Sequence, residues 1–97
     1  MRSIINNELK CLVCETPSYE THLQTHNIFY GNGREALSQK YGCWCYLCAR
    51  HHIIGGSKVA VHFNKKLDKK LKAHAQKRFN EAYPDLDFTQ IFGENYL

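Results

Sequence analysis

The chain has 97 residues, a net charge of +4, 43% hydrophobic and 23% charged residues, which fits one folded domain rather than a disordered or low-complexity segment. No stretch approaches the roughly 20 apolar residues needed to span a bilayer. Five cysteines is an odd number, and residues 1–8 lack the apolar run of a signal peptide, so reduced thiols in a cytoplasm are expected rather than a secreted disulfide scaffold. A core this small gains from a metal staple, and the moderate positive charge is compatible with a polyanionic partner.

Residues 1–10 read as a short lead-in with a strand near Ile4 and Ile5. Cys11-Leu12-Val13-Cys14 is a knuckle-type turn, and Glu15 to Ser18, with Pro17, continues as a turn. From Thr21 to Gly31 the alternation of His22, Gln24 and His26 predicts a strand or hairpin on which those three side chains share a face. Gly31 to Arg34 is a loop. Arg34–Tyr41 predicts a two-turn helix ended by Gly42, and Cys43–Leu47 predicts a compact apolar strand.

Residues 53–58 read as a flexible connection and residues 59–63 as a brief strand. Asn64 is placed to cap a helix over residues 65–83, in which Leu67, Leu71, Ala75, Phe79 and Tyr83 recur every fourth position as a core face. Seven basic residues against Asp68 and Glu81 give that segment a net charge of +5, so most of the basic excess rides on one helix. Pro84 stops it. Asp85 is expected to cap a last helix from Leu86 to Phe92, ended by Gly93, and the tail Asn95-Tyr96-Leu97 is expected to pack back on the domain.

Cys11, Cys14, Cys48 and His51 form two half-sites with two-residue spacers, the arrangement a tetrahedral structural zinc requires. Cys45 competes with His51 for the fourth position, since Cys45 and Cys48 also stand at that spacing. His51 is preferred, because Cys45 falls inside an apolar strand while Cys48 to His51 falls at a strand-to-helix turn. Cys43 has no spacing argument and reads as core. His22 and His74 read as ordinary hydrogen-bonded surface or core histidines, His74 riding on the basic helix.

In order along the chain, Cys11-x-x-Cys14, His26-Asn27-Ile28-Phe29-Tyr30-Gly31, Leu47-Cys48-x-x-His51-His52 and Val61-His62-Phe63-Asn64-Lys65 resemble the HNH endonucleases, in particular the small zinc-bearing HNH proteins of bacteriophages. The resemblance covers about 85 residues, from Cys11 onward. It implies an α+β fold: a treble-clef zinc knuckle carrying a ββα-metal core over residues 11–64, then a helical part over residues 65–97, all one domain. It also implies a metal-dependent endonuclease acting on DNA phosphodiesters in the cytoplasm of a bacterial host, encoded by a phage or prophage.

In the family's pattern a metal ligand on the hairpin is followed by a histidine that deprotonates the attacking water. His26 takes the ligand position here and Asn27 the general-base position. An imidazole accepts a proton near neutral pH and a carboxamide does not, so the resemblance implies impaired or absent hydrolysis. A slip of one residue would make His26 the base and leave Thr25 as a poor ligand, with His22 as a substitute. His26, His52 and His62 are the implied ligands of a second divalent cation (magnesium, manganese, nickel or zinc), with Asn64 as an orienting group and no carboxylate in an obvious ligand position.

Arg34, Lys58 and Lys65, the last at the start of the basic helix, are candidate phosphate contacts. Two further readings come from different classes. A non-catalytic zinc module would bind nucleic acid or protein, and a purely structural zinc protein would use its aromatic tail for assembly. The sequence leaves the oligomeric state open.

Overall fold

The computed structural model describes residues 2–58 and 60–97, apart from the side chain at position 57. The sheet has two antiparallel strands, β1 (Leu23–Asn27) and β2 (Trp44–Cys48), separated by helix α1 (Arg34–Tyr41). Their register runs from Leu23 opposite Cys48 to Asn27 opposite Trp44, with His26 opposite Cys45. β1 therefore pairs across a helix and not within a local hairpin. Helix α2 (Lys65–Ala82) and the short helix α3 (Phe88–Phe92) complete a small α+β unit. Among the described residues, no helix is long and apolar enough to cross a membrane.

Helix α1 is anchored from inside by Ser38, whose buried hydroxyl donates to the Phe29 carbonyl at 2.7 Å and accepts from the Phe29 amide at 3.0 Å. It ends as the sequence predicts, at Gly42 in the left-handed region with φ 74°. Glycine is required there twice over. A Cβ would stand 2.5 Å from the Arg2 carbonyl oxygen, and the backbone conformation disfavours any side chain. The Ile4 amide bonds the Gly42 carbonyl, which draws the lead-in across the end of α1.

Asn64 caps α2 by accepting from the Leu67 amide at 2.9 Å, and Leu71, Ala75 and Phe79 are buried, with Leu67 and Tyr83 half-buried on the same stripe. Phe79 meets Phe88 and Phe92 at ring separations of 5.3 and 5.9 Å, and Phe29 meets Phe88, Phe92 and Tyr96 at 5.0, 4.7 and 5.4 Å. The tail is held against α2 because Gln76 donates to Asn95 and accepts from the Tyr96 amide. Its packing follows the sequence expectation.

Four local expectations are corrected. Ile4 and Ile5 form no strand, because the Ser3 hydroxyl bonds the amides of Ile5 and Asn6 and donates to the Trp44 carbonyl, closing a turn. The connection after β2 is helical: a π-helical turn over Arg50–Ile54, closed by the Gly55 amide on the Arg50 carbonyl, then a 3-10 turn over Gly56–Lys58.

The expected strand over residues 59–63 is a 3-10 turn over Val61–Phe63, while Val59 lies outside the described residues. A short apolar run does not by itself distinguish a strand from a buried turn of helix. The last helix starts at Phe88 and is capped by Asp87, whose carboxylate accepts from the Gln90 amide, and not by Asp85. Residues 83–86 are first used by a turn in which the Leu86 amide bonds the Tyr83 carbonyl.

Candidate metal centres

The first cluster is built on two turns facing each other. In the knuckle, Cys11 is buried, its amide bonds the Thr16 carbonyl, and Glu15 takes a left-handed conformation with φ 61° to turn the chain back. The Leu12 amide bonds the Tyr46 carbonyl and so fixes the knuckle to β2. From the other side, Cys48 ends β2 and His51 follows in the π-helical turn.

The four ligand atoms of Cys11, Cys14, Cys48 and His51 lie within 4.8 Å of one another. Sγ of Cys14 and Sγ of Cys48 are 3.8 Å apart, and His51 Nδ1 lies 3.2 Å from Cys48 Sγ and 3.8 Å from Cys11 Sγ. Ligands about 2.3 Å from a tetrahedral ion are spaced by about 3.8 Å, so this set could bind a metal such as zinc. Burial alone would raise the Cys14 thiol, but bonds from the Thr16 hydroxyl and amide and from its neighbouring thiols draw it down to about 7, toward the thiolate a metal needs. Burial lowers His51, which favours the neutral ligand form. Cys45 stands outside the set and is fully buried. Burial pushes its thiol up to about 12 and does the same to Cys43, so both are neutral core thiols.

His52 leaves the same turn in another direction. The ligand atoms of His26, His52 and His62 also lie within 4.8 Å of one another, at a cleft of about 240 Å³ lined by Thr25, His26, Asn27, Tyr30, Glu35, His52 and His62. His52 Nδ1 lies 2.6 Å from Gln24 Oε1. An amide oxygen only accepts, so Nδ1 carries the proton and Nε2 presents a lone pair. That Nε2 is 3.0 Å from His62 Nε2, and two facing lone pairs repel unless a proton or a cation lies between them.

His26 is 2% exposed, and its Nε2 has no hydrogen-bond partner among the described residues. Burial, reinforced by His62, His52 and Lys72, pulls this ring down to about 3, so it is neutral at physiological pH. A buried unpartnered nitrogen, a tautomer set by Gln24 and a third imidazole within bonding distance make a donor set that fits a divalent cation.

The wall of this cleft is braced from α2. Tyr30 donates to Asp68 at 3.0 Å, Asp68 pairs with Lys72 at 2.9 Å, and the Lys72 ammonium sits 4.4 Å from the centre of the Tyr30 ring. Asn27 also lines the cleft, but its side-chain oxygen accepts from Gln39 at 2.6 Å. Thr25 is exposed, and His22 and His74 lie on the surface outside both clusters. Asn64 acts as the α2 cap and donates to the Lys58 carbonyl, so it orients the chain beside the cleft and not a ligand ring.

Of the three candidate phosphate contacts, Arg34 is half-buried and donates to the Tyr96 hydroxyl, a tie to the tail. Lys58 is exposed and, with Lys66 and Lys70, lines a groove of about 300 Å³ floored by Val13 and Leu67. Lys65 is exposed in the first turn of α2. Sequence reasoning passed over three residues at the histidine cleft: Glu35, Gln39 and Tyr30. Tyr30 lay inside the motif already singled out. Glu35 and Gln39 sit on α1, and only the pairing of β1 with β2 around that helix brings them to the cleft. Comparison of the chain with protein-family models, curated proteins and solved structures finds no match.

Proposed function

We propose that the protein is an HNH-type, metal-dependent phosphodiesterase acting on DNA, built on a zinc-stapled treble clef with a ββα-metal core and slowed by Asn27 at its base position. The observation that carries this reading is the convergence of His26, His52 and His62 on one cleft, with the buried His26 Nε2 lacking a hydrogen-bond partner among the described residues. His26, His52 and His62 would hold a divalent cation there, and its Lewis acidity would be the chemistry it supplies toward a phosphate. The protein's own groups do the rest. Gln24 holds His52 in the ligand tautomer, Tyr30 walls the cleft, and Lys58, Lys66 and Lys70 line a separate groove whose charge suits a polyanion.

Plasmid nicking in manganese or magnesium, repeated on Asn27→His, tests the reading. The parent is expected to nick slowly and the variant roughly 10²-fold faster, within the range a positioned base supplies. Absence of cleavage by both proteins, on DNA and RNA and across metals, would remove the enzymatic reading.

A second reading is favoured by one contact. Because the Asn27 carboxamide oxygen is engaged by Gln39, the base position is occupied by a structural group, as suits a zinc module that binds nucleic acid without cutting it. That module would bind DNA in a salt-sensitive way, and the binding would survive replacement of His52 and His62.

A further inference from the structure

We infer that Glu35 is the proton acceptor for the attacking water in the histidine cleft, in place of Asn27; this rests on the phosphodiesterase reading above. Glu35 stands in the first turn of α1 and lines the cleft together with His26, His52 and His62. Its Oε1 accepts from the Gly31 amide at 3.1 Å, which holds the exposed carboxylate at the mouth of the cleft. Among the described residues it makes no ion pair, so no cation competes for its second oxygen.

The carboxylate also stays out of the set whose ligand atoms lie within 4.8 Å of one another. Lining the cleft without joining the ligand set is the position of a group that meets a water and not the ion. Apart from the exposed Thr25 hydroxyl, the other polar groups of the cleft are committed elsewhere. The Asn27 oxygen accepts from Gln39, Tyr30 donates its proton to Asp68 and is held up near 12 by burial and then by that carboxylate, and the three imidazoles face one another. Among the described residues, Glu35 is the one carboxylate that lines the cleft.

In the step this assigns, an O–H bond of water breaks and the proton passes to Glu35 Oε2, while the freed electron pair of the water oxygen forms the new P–O bond. The bond from phosphorus to the 3′ oxygen breaks, that oxygen takes a proton from bulk water, and Glu35 returns its proton to solvent. The products are a phosphate monoester and an alcohol, with no oxidant or further co-reactant.

The test compares the parent protein, Glu35→Gln, Asn27→His and the double variant for plasmid nicking in manganese, with manganese affinity by titration calorimetry and DNA affinity measured on each. Glutamine keeps the Oε1 acceptor for Gly31, so the loop is preserved. Glu35→Gln is expected to lower the parent's slow nicking by about 10²-fold while manganese and DNA affinities stay within about twofold, and Asn27→His is expected to restore cleavage in the same background. Equal rates for the parent and Glu35→Gln would overturn the assignment. So would a loss of manganese affinity in step with rate, which would make Glu35 a ligand. A silent parent beside an active Asn27→His would also overturn it while leaving the phosphodiesterase reading intact. Silence from both the parent and Asn27→His with manganese bound would bring down that reading, and Glu35's role with it.

Discussion

The two clusters share a turn and differ in almost everything else. Cys11, Cys14, Cys48 and His51 supply four donors, three of them sulfur and three of them buried, and the knuckle is tied to β2 by the backbone hydrogen bond from Leu12 to Tyr46. His26, His52 and His62 supply three nitrogens at the edge of a solvent-reached cleft, braced by side chains from α2 and β1. A closed soft-donor set holds chain segments together, whereas an incomplete nitrogen set leaves positions for water and substrate. The π-helical turn over Arg50–Ile54 makes the division possible, because it sends the adjacent His51 and His52 rings to different centres.

The widest separation between the two is expected from Cys11→Ser. Elemental analysis of the parent should give about one tightly held zinc per chain, and the variant should lose it together with its cooperative thermal transition, because metal affinity at such a site is folding free energy. Cys45→Ser should retain about one zinc, since its sulfur lies outside the ligand set. Loss of zinc from that variant would mean that Cys45, and not His51, is the fourth ligand.

Next in size is the paired replacement His52→Ala and His62→Ala. It should abolish manganese-dependent nicking and weaken manganese binding by at least about tenfold, while zinc content and the far-UV circular dichroism spectrum stay as in the parent. If zinc were lost as well, the two centres would be one cooperative unit and the contrast between them would collapse.

The sequence made the two centres unequally legible for a physical reason. Both half-sites of the sulfur cluster are local turns with two-residue spacers, so their candidate ligands can be read without knowing how the chain returns on itself. Helix α1 with its Gly42 cap, and α2 with Asn64 and its four-residue period, were legible in the same way, because caps and periodicity are local. The cleft is assembled from a strand, a π-helical turn, a 3-10 turn and one face of α1. The histidines stood out as a set, but Glu35 and Gln39 carry no local signal. Residues 53–63 misled for the complementary reason: their glycines and apolar run fit a loop and strand, yet the described residues there wind into the end of a π-helical turn and two 3-10 turns, which no local signal separates from them.

Gln24→Leu probes how the nitrogen cluster is held. The Gln24 oxygen lies 2.6 Å from His52 Nδ1 and is the group that fixes which nitrogen faces the cleft. Without it the ring can flip or change tautomer, so manganese affinity is expected to fall by about tenfold in calorimetry, at unchanged zinc content. Gln24→Glu, which keeps an acceptor at that place, should recover most of the affinity. An unchanged affinity in Gln24→Leu would show that His26 and His62 orient His52 by themselves.

Thr16→Val asks the corresponding question of the sulfur cluster and should give the smallest effect. The Thr16 hydroxyl lies 3.1 Å from Cys14 Sγ and helps to draw that thiol down to about 7, against the burial that would raise it. Valine removes this bond but leaves the Thr16 backbone bond to the same sulfur, and Cys14 is the exposed member of the set, so water can replace the lost donor. Zinc release to a chelator should therefore quicken only a few-fold, and the thermal midpoint should move by the equivalent of about 1 kcal/mol or less. The asymmetry is the point of the pair. If Thr16→Val cost as much metal affinity as Gln24→Leu, the sulfur cluster would depend on a single side-chain hydrogen bond, as the nitrogen cluster does, and its backbone-built knuckle would not be what makes it rigid.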